Sequence, residues 1–169
     1  MSAKHAKVIG NIIVSPIGHV RKTSAYEGYL EIDKPFHKAL QELDGFSHIN
    51  VLWWCHLSDN AEDRQVTACK RPYQKAPASV GTFATRSERR PNPVALTVVP
   101  VMHIDHTKGI IDIGFIDAED DTPIIDIKPY HPATDKVKRV SVPPWCKHWP
   151  KWYEDSAQFN WEDEFVTAR

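Results

Sequence analysis

The chain reads as a mainly β protein built around a small closed or partly open barrel. Three observations point there. Most apolar segments are short and rich in Val and Ile, which favours strands. Pro, Gly and Asp punctuate the gaps between them. Only one segment carries helical spacing, and about seven strands with one or two short helices suit a small barrel better than a layered α/β sandwich.

In chain order, the expected strands are Val8 to Val14, Tyr29 to Ile32, Ile49 to Cys55, Val80 to Ala84, Val94 to Val101, Ile110 to Ile116 and Ile124 to Ile127. Between the second and third, Phe36, Ala39, Leu40 and Leu43 recur at helical spacing. Pro35 sits in the first turn of that helix and Asp44-Gly45 closes it. Beyond Val140 the character changes. Trp145, Trp149 and Trp152 crowd a Pro-rich stretch, and Phe159 and Trp161 follow. So many aromatics need something to pack on, and packing rather than base stacking is the expected role. The expected division is a barrel domain over 1–140 and an aromatic, acidic extension over 141–169, packed on the barrel or on a partner subunit.

A length of 169 residues suits one domain with a real core, and 41% apolar and 25% charged residues are ordinary globular values. No apolar run reaches the length of a membrane span, since Thr97 and Pro100 interrupt the longest. The first seven residues lack the apolar stretch of a signal peptide. Cys55, Cys69 and Cys146 are odd in number and scattered, which argues for a reducing, cytoplasmic compartment. The net charge of −1 hides an acidic end: Glu154, Asp155, Glu162, Asp163 and Glu164 face only Arg169. The rest is mildly cationic, with local clusters at Lys70-Arg71, Arg86/Arg89/Arg90 and Lys136/Lys138/Arg139. That pattern permits an RNA partner without demanding one.

The most informative stretch is Phe83-Ala84-Thr85-Arg86-Ser87-Glu88-Arg89-Arg90-Pro91-Asn92-Pro93. Pro-Asn-Pro fixes φ twice and removes two backbone donors, so the segment is a stiff turn holding guanidiniums outward. Such forks suit carboxylates and phosphates. Alone, this would be a solvated basic loop. Its companion is Asp120-Asp121-Thr122-Pro123, running on to Pro129-Tyr130. With Ile9-Gly10, Ser15-Pro16, Leu43 to Ile49, His56 and Gly81-Thr82, these motifs resemble the TsaA-like (TrmO) tRNA methyltransferase family over roughly Ile9 to Val137. The resemblance implies a β-barrel enzyme, usually a homodimer, that uses S-adenosylmethionine. It further implies methylation at N6 of the threonylcarbamoylated adenosine beside the tRNA anticodon, with no membrane or DNA partner.

Residue by residue, the resemblance places Arg86 near the cofactor, where its fork would bind the methionine carboxylate or the substrate phosphate. Leu96 would pack against the cofactor, Gly114-Phe115-Ile116-Asp117 would meet its adenosine part, and His56 would line the same pocket. A carboxylate such as Asp117 suits ribose hydroxyls. Arg89, Arg90, Asn92 and Lys128 are the candidate substrate contacts. For the proton released by the amine the candidates are Asp120, Asp121, His56 and Tyr130, in that order. No glycine-rich nucleotide turn supports the cofactor independently, and no metal site is expected, because His103 and His106 would point to opposite faces of a strand.

Departures from the family pattern cluster at a few positions. Asp121 stands where the family has glycine, Ala95 replaces another glycine, and Arg21-Lys22-Thr23 replaces a Pro-Arg-Gln loop. Two other functions stay open: methyl transfer to a small molecule or protein, and a non-catalytic module that binds the cofactor or RNA.

Overall fold

The computed structural model describes residues 12–24 and 27–166. Eight strands follow one another: β1 (Gly18–Lys22), β2 (Gly28–Ile32), β3 (His48–Trp54), β4 (Ala68–Lys70), β5 (Ser79–Gly81), β6 (Val94–Asp105), β7 (Ile110–Ile113) and β8 (Pro123–Pro129). Six of them close a barrel in the order β1-β2-β7-β6-β3-β8, while β4 and β5 form a separate hairpin. Every pairing in the barrel is antiparallel.

Alternation builds the interior. Val20, Leu30, Ile49, Val51, Val99, Ile111 and Ile124 come from all six barrel strands, and each is fully buried. Because the side-chain period of a strand is two, their neighbours face outward. Closure leaves no exposed sheet edge in the barrel. The hairpin between β6 and β7 turns at Gly109, whose φ is +72° and whose N–H donates to the Asp105 carbonyl at 2.8 Å. A Cβ there would fall 2.2 Å from His37 Nε2, and that ring nitrogen bonds the Ile32 carbonyl at 2.9 Å.

Several expectations shift. Of the strand expected over Val8 to Val14, residues 8–11 lie outside the described residues, and Ile12 to Val14 are exposed and unpaired in any sheet. The first strand is β1, whose GHVRK sequence buries only Gly18 and Val20. The expected strand Val80 to Ala84 is β5 running into a 3-10 turn over Thr82–Ala84. β7 ends at Ile113, so 114–116 form a loop. The expected helix is two 3-10 pieces, Lys34–Leu40 and Leu43–Gly45, separated at Glu42 with φ 66°. Only Leu40 of its apolar stripe is buried, so too little packing holds a continuous α-helix together.

The C-terminal residues fold onto the segment around Tyr73. Trp145 stacks on the Tyr73 ring at 5.4 Å, and Trp149 meets it edge-on at 4.8 Å. Trp161 packs on Trp149 and Phe159, and Phe165 makes a β-bridge to Tyr73. These rings form a second small core with Ala76 and Val80, outside the barrel. No helix among the described residues is long and apolar enough to cross a membrane.

Candidate functional site

Most of the sequence-predicted residues come together where β3 ends and β6 begins. Trp54 pairs with Val94, and the next residue, Cys55, donates its N–H to the Pro93 carbonyl at 2.7 Å. The Pro-Asn-Pro turn is thereby clamped to the end of β3, with Pro93 fully buried. Two buried threonines hold the turn from behind. Thr82 Oγ1 donates to the Val66 carbonyl at 3.0 Å, and Thr85 Oγ1 to the Thr82 carbonyl at 2.8 Å. Thr85 Oγ1 also accepts the Ser87 N–H at 3.3 Å.

The three arginines of the turn have different partners. Arg89 is engaged by Asp63, with Glu62 further off at 3.9 Å. Arg90 donates to the Ser87 carbonyl at 3.3 Å. Arg86 donates one N–H to the Leu96 carbonyl at 3.0 Å and forms no ion pair among the described residues. Four of its five guanidinium donors are left over. Beneath the turn, Arg64 bonds Asp59 and the Pro91 carbonyl and lies 5.5 Å from the Trp54 ring, and Trp54 Nε1 also donates to Asp59. That network stiffens the back of the loop.

Cys55 lies at the centre of this group. Burial pushes its thiol up to about 11, with Glu88 adding to the rise, Arg90 opposing it and Asp117 adding again. The charges of all three side chains are felt at this one buried sulfur. His56 opens a 3-10 turn over His56–Ser58, and its Nδ1 stands 3.4 Å from Oγ1 of buried Thr122.

The loop after β7 begins beside Pro100, which pairs with His48 at the start of β3. At Gly114 a Cβ would come within 3.0 Å of Pro100 Cγ. Phe115 is 51% exposed while Ile116 is buried beside it. Asp117 is exposed, and its carboxylate has no hydrogen-bond partner among the described residues. Lys22 ties this loop to β1: its Nζ donates to the Ile116 carbonyl at 2.7 Å and lies 5.2 Å from the Phe115 ring centre. Its backbone N–H donates to Asp120 Oδ1 at 2.9 Å, and Arg21 pairs with Asp121. Asn92 is exposed at the tip of the Pro-Asn-Pro turn.

Two expected residues lie elsewhere. Tyr130 donates its backbone N–H to His48, at the start of β3. At about 3.3 Å per residue, that is roughly 25 Å from His56. Lys128 pairs with Asn50 in the sheet and with Asp126 through its ammonium at 2.7 Å. Two clefts of about 440 Å³ each lie around His37, Asp44 and His106 and around Phe36, Leu43 and Ile127. Neither contains any residue of the group around Cys55. Sequence reasoning missed Glu88, Thr122 and Lys22 as members of that group. Thr122 and Lys22 stood in motifs already singled out, but their contacts are long-range and carry no local signal.

The profile of the tRNA-methyltransferase O N-terminal domain matches residues 16–136. A probable S-adenosyl-L-methionine-binding protein of Methanothermobacter thermautotrophicus is 33% identical over 139 residues, covering 75% of this chain and 95% of its own length. The tRNA (adenine(37)-N6)-methyltransferase of Escherichia coli is 32% identical over 119 residues, covering 68% of this chain and 50% of the relative. The chain thus spans nearly all of the archaeal relative and half of the bacterial one. The crystal structure of TrmO from Pseudomonas aeruginosa superposes with a TM-score of 0.59 at 28% identity, over 78% of this chain and 62% of that one. A barrel of this topology, a profile match over most of its length and relatives on both sides place the chain in the tRNA-methyltransferase O N-terminal domain family.

Proposed function

We propose that the protein is an S-adenosylmethionine-dependent methyltransferase acting at N6 of the threonylcarbamoylated adenosine beside the tRNA anticodon. One observation carries the reading: Arg86, which forms no ion pair among the described residues, bonds the Leu96 carbonyl on β6, beside the end of β3 that His56 follows. The residues suit the cofactor. Its methionine carboxylate needs a guanidinium fork, which Arg86 offers. Its ribose needs a carboxylate acceptor, which Asp117 offers, and its adenine needs an apolar shelf, which exposed Leu96 and Phe115 offer.

The cofactor supplies an electrophilic methyl on sulfur. The chain's own task is to hold an exocyclic nitrogen in line with it, and positioning of that kind contributes most of the acceleration. Asp120 and Asp121 are engaged by β1, and Tyr130 is at the far end of β3. His56 is therefore the acceptor placed to take the released proton, its ring oriented by Thr122. Such a base adds a factor of roughly 10² to 10⁴. Arg89, Arg90 and Asn92 on the outer turn would meet tRNA phosphates. Phe83 is 84% exposed, and Leu96 and Phe115 are about half exposed, which supports a second copy covering this face as a homodimer.

The test is transfer of label from S-adenosylmethionine to bulk tRNA, with tRNA lacking the threonylcarbamoyl group as control. Label confined to the modified adenosine is expected. Cofactor binding without transfer to tRNA would favour a binding module, in line with the archaeal relative's description as a probable S-adenosyl-L-methionine-binding protein.

A further inference from the structure

The aromatic residues of the C-terminal segment divide into two sets. Trp145 and Trp149 are consumed in the small core on Tyr73, and Phe159, Trp161 and half-exposed Phe165 pack on its rings. Trp152 and Tyr153 are not, and remain 60% and 48% exposed. The exposed pair are also the ones that touch cations and the barrel end. Lys136 Nζ lies 5.4 Å from the Trp152 ring centre, and the Tyr153 ring meets His48 edge-on at 5.7 Å, with Tyr130 on the same histidine at 6.4 Å.

The chain leading up to them is basic, while Glu154 and Asp155 follow them directly. Lys136, Lys138, Arg139, Lys147 and Lys151 fall in 136–151, which contains no Asp or Glu. Every residue from 131 to 144 is exposed. The nearest acid before the run, Asp135, is bound to the His131 N–H and the Thr134 hydroxyl. The run also has direction. It leaves the barrel beside Tyr130, at the start of β3, and reaches Trp145, stacked on Tyr73. Tyr73 shares its core with Val80 of β5, which leads through the Thr82–Ala84 turn into the arginine turn.

We infer that this basic, aromatic face is a docking track for the single-stranded part of an RNA hairpin, delivering its loop to the Arg86 turn. Cations along an exposed strand with accessible rings are the chemistry that binds unpaired nucleotides, phosphates on the cations and bases on the rings. The inference rests on the tRNA reading above and adds a second contact area, past the end of the family match at residue 136.

Binding of a fluorescein-labelled anticodon stem-loop is measured by anisotropy across a salt series, with polyglutamate as the counter-competitor. The wild-type chain should bind, with log affinity falling linearly with log salt. Lys136→Glu/Lys138→Glu/Arg139→Glu should weaken binding at least about a hundredfold and flatten the salt slope by roughly two, at 0.7 per phosphate contact. Trp152→Ala should cost about tenfold and Trp152→Phe much less. These side chains are exposed, so melting temperatures should not change. If the stem-loop binds the variants as tightly as wild type, or polyglutamate at equal charge displaces it fully, the track is wrong while the methyltransferase reading stands. If the wild type binds no RNA, both fall.

Discussion

Asp121 and Arg21 form a 2.5 Å ion pair beside β1. Asp121 adopts φ 61°, a left-handed conformation that glycine takes without strain. Its carboxylate, 67% exposed, finds a guanidinium that also bonds Glu31 at 2.7 Å. Two positions at which the sequence is expected to depart from the family pattern are neighbours in space. Asp121→Gly removes left-handed strain of about 1 kcal/mol and an exposed pair of about 0.5 kcal/mol, so the melting temperature should stay near wild type. Asp121→Val keeps the strain and loses the pair, and should melt measurably lower.

The tail has an acid-sensitive link. Glu164, 6% exposed, accepts from His148 Nε2 at 2.9 Å. Burial alone would push its carboxyl up. The His148 hydrogen bond, the Trp149 indole, and the charges of His148 and Lys75 together draw it below the ordinary value of 4.5. A depressed carboxyl stabilises above its unfolded value, and that contribution is lost as pH falls through the folded one. Tryptophan emission should therefore shift red below about pH 4.5, reporting release of Trp145 and Trp149. Glu164→Gln should remove most of that pH dependence.

The thiols should differ in reactivity. Cys55, pushed up to about 11, and buried Cys146, also raised by burial, should resist a thiol-directed reagent at pH 8. Half-buried Cys69 should react first. Mass spectrometry of the labelled peptides decides the order, and early labelling of Cys55 would show that the candidate site is more open than described.

Gly109→Ala should be costly. The new methyl meets His37 and the Ile32 carbonyl, at a φ of +72° that already disfavours a side chain. A loss of roughly 2 kcal/mol or more is expected in thermal denaturation.

The barrel was largely legible because β2, β3, β6, β7 and β8 are short apolar runs with strand periodicity. β1 was not, since its sequence offers Val20 alone as an apolar signal, and Gly18 is buried for lack of a side chain: a Cβ would sit 2.2 Å from the Glu31 carbonyl oxygen. The helical spacing of 35–43 was real, but only Leu40 of its stripe is buried, with Leu43 partly buried against the barrel core. As candidates for the site, Arg86, Leu96, His56 and Asp117 were proposed from motifs. The grouping of Glu88, Arg90 and Asp117 around Cys55 was not, because it depends on how the barrel closes. Tyr130 and Lys128 shared a motif with Asp120 yet ride β8 away from the site, an outcome that strand direction decides.

Calorimetric titration of S-adenosylmethionine into the wild-type chain and Arg86→Ala bears most directly on the whole reading. One cofactor per chain with saturable heat is expected, weakened by roughly 10- to 100-fold in the variant while its melting temperature without ligand is unchanged. No heat from the wild type, or equal affinity in the variant, would contradict the placement of the cofactor beside the arginine turn.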